Sequence, residues 1–199
     1  MGPRSRRQLL HATGLVTAIG LTSACSSSDT TDRYGDEASG YVSGNGVTTE
    51  IALQDRTEPL EFSGTTYDGE VFDSVEQRGS ILVVNVWYAS CPPCRIEAPE
   101  LQAINEEYAD RGVAFVGINL RDDAGPAQAF EDKYGITYPS IPDQQSEVMY
   151  QLRGHVAPNA VPTTLVLDRS GRVAGRISGA IDPSILRAML DGVIDEPAS

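Results

Sequence analysis

Cys91 and Cys94, with Pro92 and Pro93 between them, are the residues of this chain best placed to do chemistry. Thiol–disulfide exchange needs a thiolate that attacks a disulfide and a second thiol that resolves the mixed disulfide. Two cysteines separated by two residues supply both. At the start of a helix, the helix dipole and the free backbone N–H groups stabilise a negative sulfur on Cys91. That lowers its pKa from about 8.5 toward roughly 7 or below. Cys94 follows one turn later on the same side. Arg95 adds positive charge nearby. Half of a zinc site is a poorer reading, because zinc takes four ligands. Only His155 and Cys25 remain as candidates once His11 leaves with an export signal. An inert structural disulfide is also weak, since so small a ring constrains little chain. Soft Cu(I) ligation by the two thiols and His155 is a third alternative.

The elements that must position this pair are legible around it. Ile81–Trp87 is a near-continuous apolar run, the pattern of a strand covered on both faces. Pro92 suits the first position of a helix, where its missing N–H is no loss. That helix runs to about Tyr108, with Ile96, Leu101, Ile104 and Tyr108 as its expected core residues. Tyr67-Asp68-Gly69-Glu70 marks a turn between two short strands within Thr65–Phe72. Val113–Asn119 reads as a second buried strand, Pro126–Tyr134 as a helix ended by Gly135, and Tyr138–Ile141 as a short extended piece. Ser146–Leu152 reads as a short helix. Thr163–Asp168 and Arg172–Ile177 read as paired strands, and Pro183–Ile194 as a final helix capped by Asp182. Alternating strands and helices closed by a hairpin and a helix indicate a central mixed β-sheet flanked by helices.

The chain has 199 residues and a net charge of −13, which argues against nucleic acid or an anionic membrane surface as partner. Its three cysteines are too few for a disulfide scaffold. The N-terminus carries Arg6-Arg7, then an apolar stretch from Leu9 to Leu21, then Ala24-Cys25. This is the order of an export signal, twin-arginine-like and of lipoprotein type, over residues 1–24. Lipidation at Cys25 is the expectation; a plain secretory signal cut near Ala24 is the alternative. Cleavage before Cys25 removes three arginines and no acid. Residues 25–46 read as a flexible Ser/Thr/Asp/Gly tether, and 47–199 as the folded domain. The expected location is extracytoplasmic, anchored to the cell membrane by lipid, where disulfides persist.

Val84-Asn85-Val86-Trp87, Cys91-Pro92-Pro93-Cys94-Arg95, Glu97-Ala98-Pro99-Glu100-Leu101 and Val161-Pro162-Thr163-Thr164-Leu165 resemble the TlpA/ResA-like thiol-disulfide oxidoreductases. The resemblance implies a thioredoxin-like α/β fold with an N-terminal β-hairpin extension and a central insertion. It implies a cis Val161–Pro162 bond facing the dithiol, whose backbone, with Pro92 and Pro93, contacts substrate. It also implies that Glu97 lies near the cysteines and tunes their proton transfers. No cofactor and no metal are implied. The implied activity is reduction of disulfides in exported proteins, with apocytochrome c as the suggested substrate and a thiol-reducing membrane protein as electron donor. A disulfide-forming oxidant is the alternative, and a Cu(I)-binding chaperone a more distant one. Two departures stand out: Ser90 occupies the position where the family carries tryptophan, and the 153–160 loop, with His155 and Pro158, is longer than usual.

Overall fold

The computed structural model describes residues 47–197. The expected export signal, the tether and Cys25 lie outside those residues. Six strands form the main sheet: β1 (Val47–Glu50), β4 (Ile81–Trp87), β5 (Val113–Asn119), β6 (Ser140–Pro142), β7 (Thr163–Leu167) and β8 (Val173–Ser178). Their order is β1-β8-β7-β4-β5-β6, with β4, β5 and β6 parallel and the other pairs antiparallel. β2 (Ser63–Thr65) and β3 (Val71–Asp73) form a separate antiparallel hairpin around the Tyr67–Glu70 turn. Helices α1 (Pro92–Tyr108), α2 (Ala124–Tyr134), α3 (Glu147–Gln151) and α4 (Pro183–Ile194) complete the domain. This is the thioredoxin-like architecture that the resemblance implies.

The central strand shows why the apolar run had to be a strand. All seven residues of β4 are buried. Because side chains alternate between faces, Leu82, Val84 and Val86 enter one core with Val116, Ile118, Leu165 and Leu167. Ile81 and Val83 enter the other with Leu101, Ile104, Leu186 and Leu190. Each such side chain stabilises the fold by about 1.5–3 kcal/mol relative to exposure. A truncation such as Ile104→Ala would cost about 2–5 kcal/mol.

Two sequence expectations need correction, and one strand was not foreseen. Ile96 is not a core residue: it is 71% exposed. The buried stripe of α1 runs through Cys94, Glu97, Ala98, Leu101, Ile104 and Tyr108, and Ile96 falls about 100° off the Glu97 direction. The short extended piece is shifted from Tyr138–Ile141 to Ser140–Pro142, because only those residues pair with β5. β1 was not read from sequence at all; it is an edge strand held by β8, and its exposed and half-buried residues carry no apolar alternation. Gly135 ends α2 with φ 67°, the left-handed cap that glycine tolerates. Asp182 caps α4 by accepting from the Ser184 and Ile185 amides.

Candidate functional site

Strand β4 delivers its C-terminal end, through Tyr88-Ala89-Ser90, to the N-terminus of α1. Cys91 is the N-cap of that helix, and its sulfur accepts from the Cys94 N–H at 3.3 Å. The two cysteines are joined as a disulfide with Cα atoms 5.3 Å apart. Both are 1% exposed. Trp87, Ala98, Ala127 and Phe130 form the buried cluster around them, and Tyr67, Tyr88 and Val161 pack on its outer side. Pro92 is exposed and Pro93 half-buried, so the rim of the motif faces solvent.

Hydrogen bonds hold the approach to the dithiol in place. The Ala89 N–H donates to Asp122 Oδ2, and Arg95 Nε donates to the Ala89 carbonyl at 2.8 Å. Asp122 is fixed in turn by Asn119, whose Nδ2 donates to Oδ2 at 2.9 Å and whose Oδ1 accepts from the Asp122 N–H. The Tyr67 hydroxyl donates to the Asp122 carbonyl at 2.8 Å. The Arg121 guanidinium lies 4.1 Å from the centre of the Tyr88 ring. Gly117 on β5 is required beneath this: a Cβ there would lie 2.6 Å from Trp87 Nε1 and 2.4 Å from Ser140 Oγ.

The Val161–Pro162 peptide is cis. Val161 packs against the disulfide cluster. Regular pairing on β7 begins only at Thr163, and among the described residues the Val161 backbone N–H and carbonyl make no hydrogen bond. They are therefore open to an added extended strand. The 153–160 loop that precedes it is anchored by buried Val156 and by Arg176, whose Nη1 donates to the His155 carbonyl at 3.2 Å. Burial and then Arg176 hold the His155 imidazole below its ordinary pKa.

Glu97 is 2% exposed and lies one turn beyond Cys94 on the same helical face. Its Oε1 accepts from Asn85 Nδ2 and its Oε2 from the Ile181 N–H, each at 2.9 Å. Burial pushes its carboxyl up to about 8, against these two hydrogen bonds, which pull it down. Among the described residues no cation compensates it. A small cavity of about 10 Å³, close to the room one water needs, is lined by Asn85, Cys94 and Tyr138. A carboxyl of this kind, neutral or ionised near pH 8, can take or return a proton beside a thiol.

The fold thus brings together Cys91, Cys94, Glu97 and Val161, which were legible in the sequence. Asn85, Asn119, Asp122, Tyr67 and Tyr88 were not singled out as site residues. For Asn85 a signal existed: an amide inside a run of buried aliphatics must find a partner, and it finds Glu97 and Thr164. Asn119 and Asp122 gave no such signal, because loop contacts depend on the path of the chain.

Known proteins resemble this arrangement. Residues 52–191 match the Redoxin family. The thiol-disulfide oxidoreductase ResA of Halalkalibacterium halodurans is 25% identical over 126 residues, covering 62% of this chain and 68% of ResA. A DsbF homologue from Corynebacterium diphtheriae is 32% identical with a TM-score of 0.69, covering 76% of this chain and 96% of that one. A secreted thiol-disulfide isomerase from Corynebacterium glutamicum is 28% identical with a TM-score of 0.71, covering 78% of this chain and 96% of that one.

Proposed function

This chain belongs to the redoxin family as a ResA-like thiol-disulfide oxidoreductase, and on that premise we propose that it reduces disulfides of exported proteins outside the cytosol. The observation that carries the reading is the capped, buried Cys91–Cys94 pair with a proton-accepting carboxyl behind it and an open strand edge beside it.

The Cys91 thiolate attacks one sulfur of a substrate disulfide. A mixed disulfide forms and one substrate thiolate leaves. The Cys94 thiolate then attacks the Cys91 sulfur, the second substrate thiolate leaves, and the ring closes. Two electrons pass from the dithiol to the substrate, and the two protons lost by the cysteines end on the substrate thiols. Glu97 accepts the Cys94 proton and passes it on. Val161 and Pro162 align the substrate as an extended strand, with Pro92 and Pro93 at the rim. In the disulfide form both cysteines are covered, with Tyr67, Tyr88 and Val161 packed against their cluster.

The substrate class within this reading is an exported protein such as apocytochrome c, whose haem-attaching cysteines must be thiols. A membrane thiol-reducing donor restores the dithiol. Lipidation of Cys25 and the 25–46 tether would hold the domain near that donor. Among the described residues no helix is long and apolar enough to cross a membrane.

The deciding experiment is the equilibrium reduction potential of Cys91–Cys94 against glutathione or dithiothreitol. A value near or below about −270 mV supports a reductase; one near −120 mV overturns it in favour of a disulfide-forming oxidant. Cys91→Ser is expected to abolish insulin reduction.

A further inference from the structure

Tyr88-Ala89-Ser90 carries the chain from β4 to Cys91, and its side chains do little to fix its last two residues. Ala89 offers only a methyl group, and Ser90 is exposed. The Ala89 backbone is gripped from both sides instead. Its carbonyl accepts from Arg95 Nε at 2.8 Å, and its N–H donates to Asp122 Oδ2. Arg95 follows Cys94 on α1, whereas Asp122 comes from the loop after β5. Asp122 is itself held on several sides. Its Oδ2 accepts a second bond from Asn119 Nδ2, and its N–H donates to Asn119 Oδ1. Its carbonyl accepts from the Tyr67 hydroxyl and from Gln144 Nε2. Asn119 is fully buried, so the clamp stands on the sheet.

Both donors to the Asp122 carboxylate are neutral. Among the described residues no cation lies within ion-pair distance of it. Arg95 and Arg121 are the cations of this rim, and both are exposed; Arg95 is committed to Ala89, and Arg121 lies over the Tyr88 ring. The other acids are Asp123, exposed and bonded to Gln144 Nε2, and Glu97, one turn beyond Cys94. The Asp122 charge reaches the cysteine cluster. Tyr67 packs on that cluster, and burial and then the Asp122 charge raise its hydroxyl. Ala89 precedes Cys91 by two residues, which puts the carboxylate on the order of 10 Å from the Cys91 sulfur. A disulfide carries no charge, but the attacking thiolate is an anion. A nearby carboxylate therefore disfavours only the thiolate. It weights the equilibrium toward the disulfide and makes the dithiol the stronger reductant.

We propose that Asp122 is a positioning residue of the exchange site: its carboxylate oxygen holds Ala89 and so the approach to Cys91, and its charge keeps the dithiol on the reducing side. The proposal rests on the oxidoreductase reading and adds to it a residue that biases the direction of electron flow.

Asp122→Asn separates the two roles, because an amide oxygen in the place of Oδ2 still accepts both bonds while the charge is gone. The Cys91 pKa is read in the reduced full chain from the pH dependence of its alkylation by iodoacetamide. It should fall by about half a unit in this variant. One charge at that distance exerts roughly 0.3–1.2 units between a bulk-water and a near-surface dielectric. The equilibrium with glutathione at pH 8 should shift about threefold toward the dithiol for that half unit. Insulin reduction should stay within about twofold of the wild type. Asp122→Ala removes the oxygen as well; it should show the same fall in pKa and reduce insulin about tenfold more slowly. Asp110→Asn removes one charge about 25 Å away, past the far end of α1, and should leave the Cys91 pKa where it is. An unchanged Cys91 pKa in Asp122→Asn overturns the proposal. So does insulin reduction by Asp122→Ala as fast as by Asp122→Asn. If the alanine variant does not fold, the asparagine variant decides through the Cys91 pKa. If the wild type leaves insulin unreduced, the oxidoreductase reading fails and the proposal falls with it.

Discussion

Glu97 and Asp168 are both buried carboxylates, 2% and 5% exposed, yet the fold treats them in opposite ways. Glu97 meets only neutral donors, an amide side chain and a backbone N–H. Burial dominates, and its carboxyl rises to about 8. Burial raises Asp168 as well. It is outweighed by hydrogen bonds from the Ser170 hydroxyl and the Arg172 N–H and by the Arg56 guanidinium, so its carboxyl is held below the usual range. Arg56 also pairs with Glu196. Burial alone therefore does not set charge; the partners do. The acid beside the dithiol is left free to exchange a proton. The acid at the far hairpin is locked as an anion that holds Arg56 at the end of β7, and Arg56 in turn holds Glu196 beyond α4.

The two acids also act on stability with opposite sign. For Glu97 the folded value lies above the unfolded 4.5. Its contribution is fully present below pH 4.5, is lost as pH rises through about 8, and is constant beyond. For Asp168 the folded value lies below 3.8, so its contribution is present above 3.8 and lost as pH falls through the lowered value.

Glu97→Gln is the strongest way to break the contrast. The wild type should lose on the order of 5 kcal/mol between pH 4.5 and 8 on this account. The variant should be nearly flat there, as measured by urea unfolding at a series of pH values. The same variant should slow disulfide exchange by at least about tenfold and lose the rate inflection near pH 8. An unchanged inflection would remove Glu97 from the proton path.

Arg56→Met comes next. It leaves Asp168 buried beside fewer donors and should cost about 3 kcal/mol, while the Asp168 carboxyl moves upward in an NMR titration. Asp168 would then behave as Glu97 does. No loss of stability would mean that the pair is only geometry. Asp168→Asn should cost less, about 2 kcal/mol at neutral pH, because an amide still bonds to Ser170 and Arg172. Its mark is a flattened acid limb of the stability curve. The smallest effect is expected from Asn85→Ala. Removing one neutral donor should raise the Glu97 carboxyl further, by up to about one unit, while the exchange site stays intact. A downward shift would contradict the assigned role of Asn85.

Much of this was legible in the chain because it depends on neighbours in sequence. The limits of β4 and β5 follow from near-continuous apolar runs, and those of α4 from the Asp182 cap and Pro183. The capped dithiol needs only that Cys91 and Cys94 sit one turn apart at a helix start. Ile96 shows where such reading fails. Its spacing from Leu101 and Tyr108 looked acceptable, but the buried face of α1 is fixed by which residues meet the sheet. β1 was invisible because its stability comes from pairing with β8, and its own sequence carries no alternation.

The sequence by itself determined the reactive pair, the strand-to-helix junction that holds it, and a fold built of alternating elements, since all three rest on spacings of a few residues. Tertiary structure alone decided the rest. It placed Asn85, 12 positions before Glu97, and the Ile181 amide, 84 positions after it, onto the same carboxyl. It also joined Asp122 to Ala89 and Tyr67 beside the approach to the dithiol. The physical reason is that protonation and access are set by desolvation and by partners in space, and those partners are recruited from chain segments that no local pattern connects.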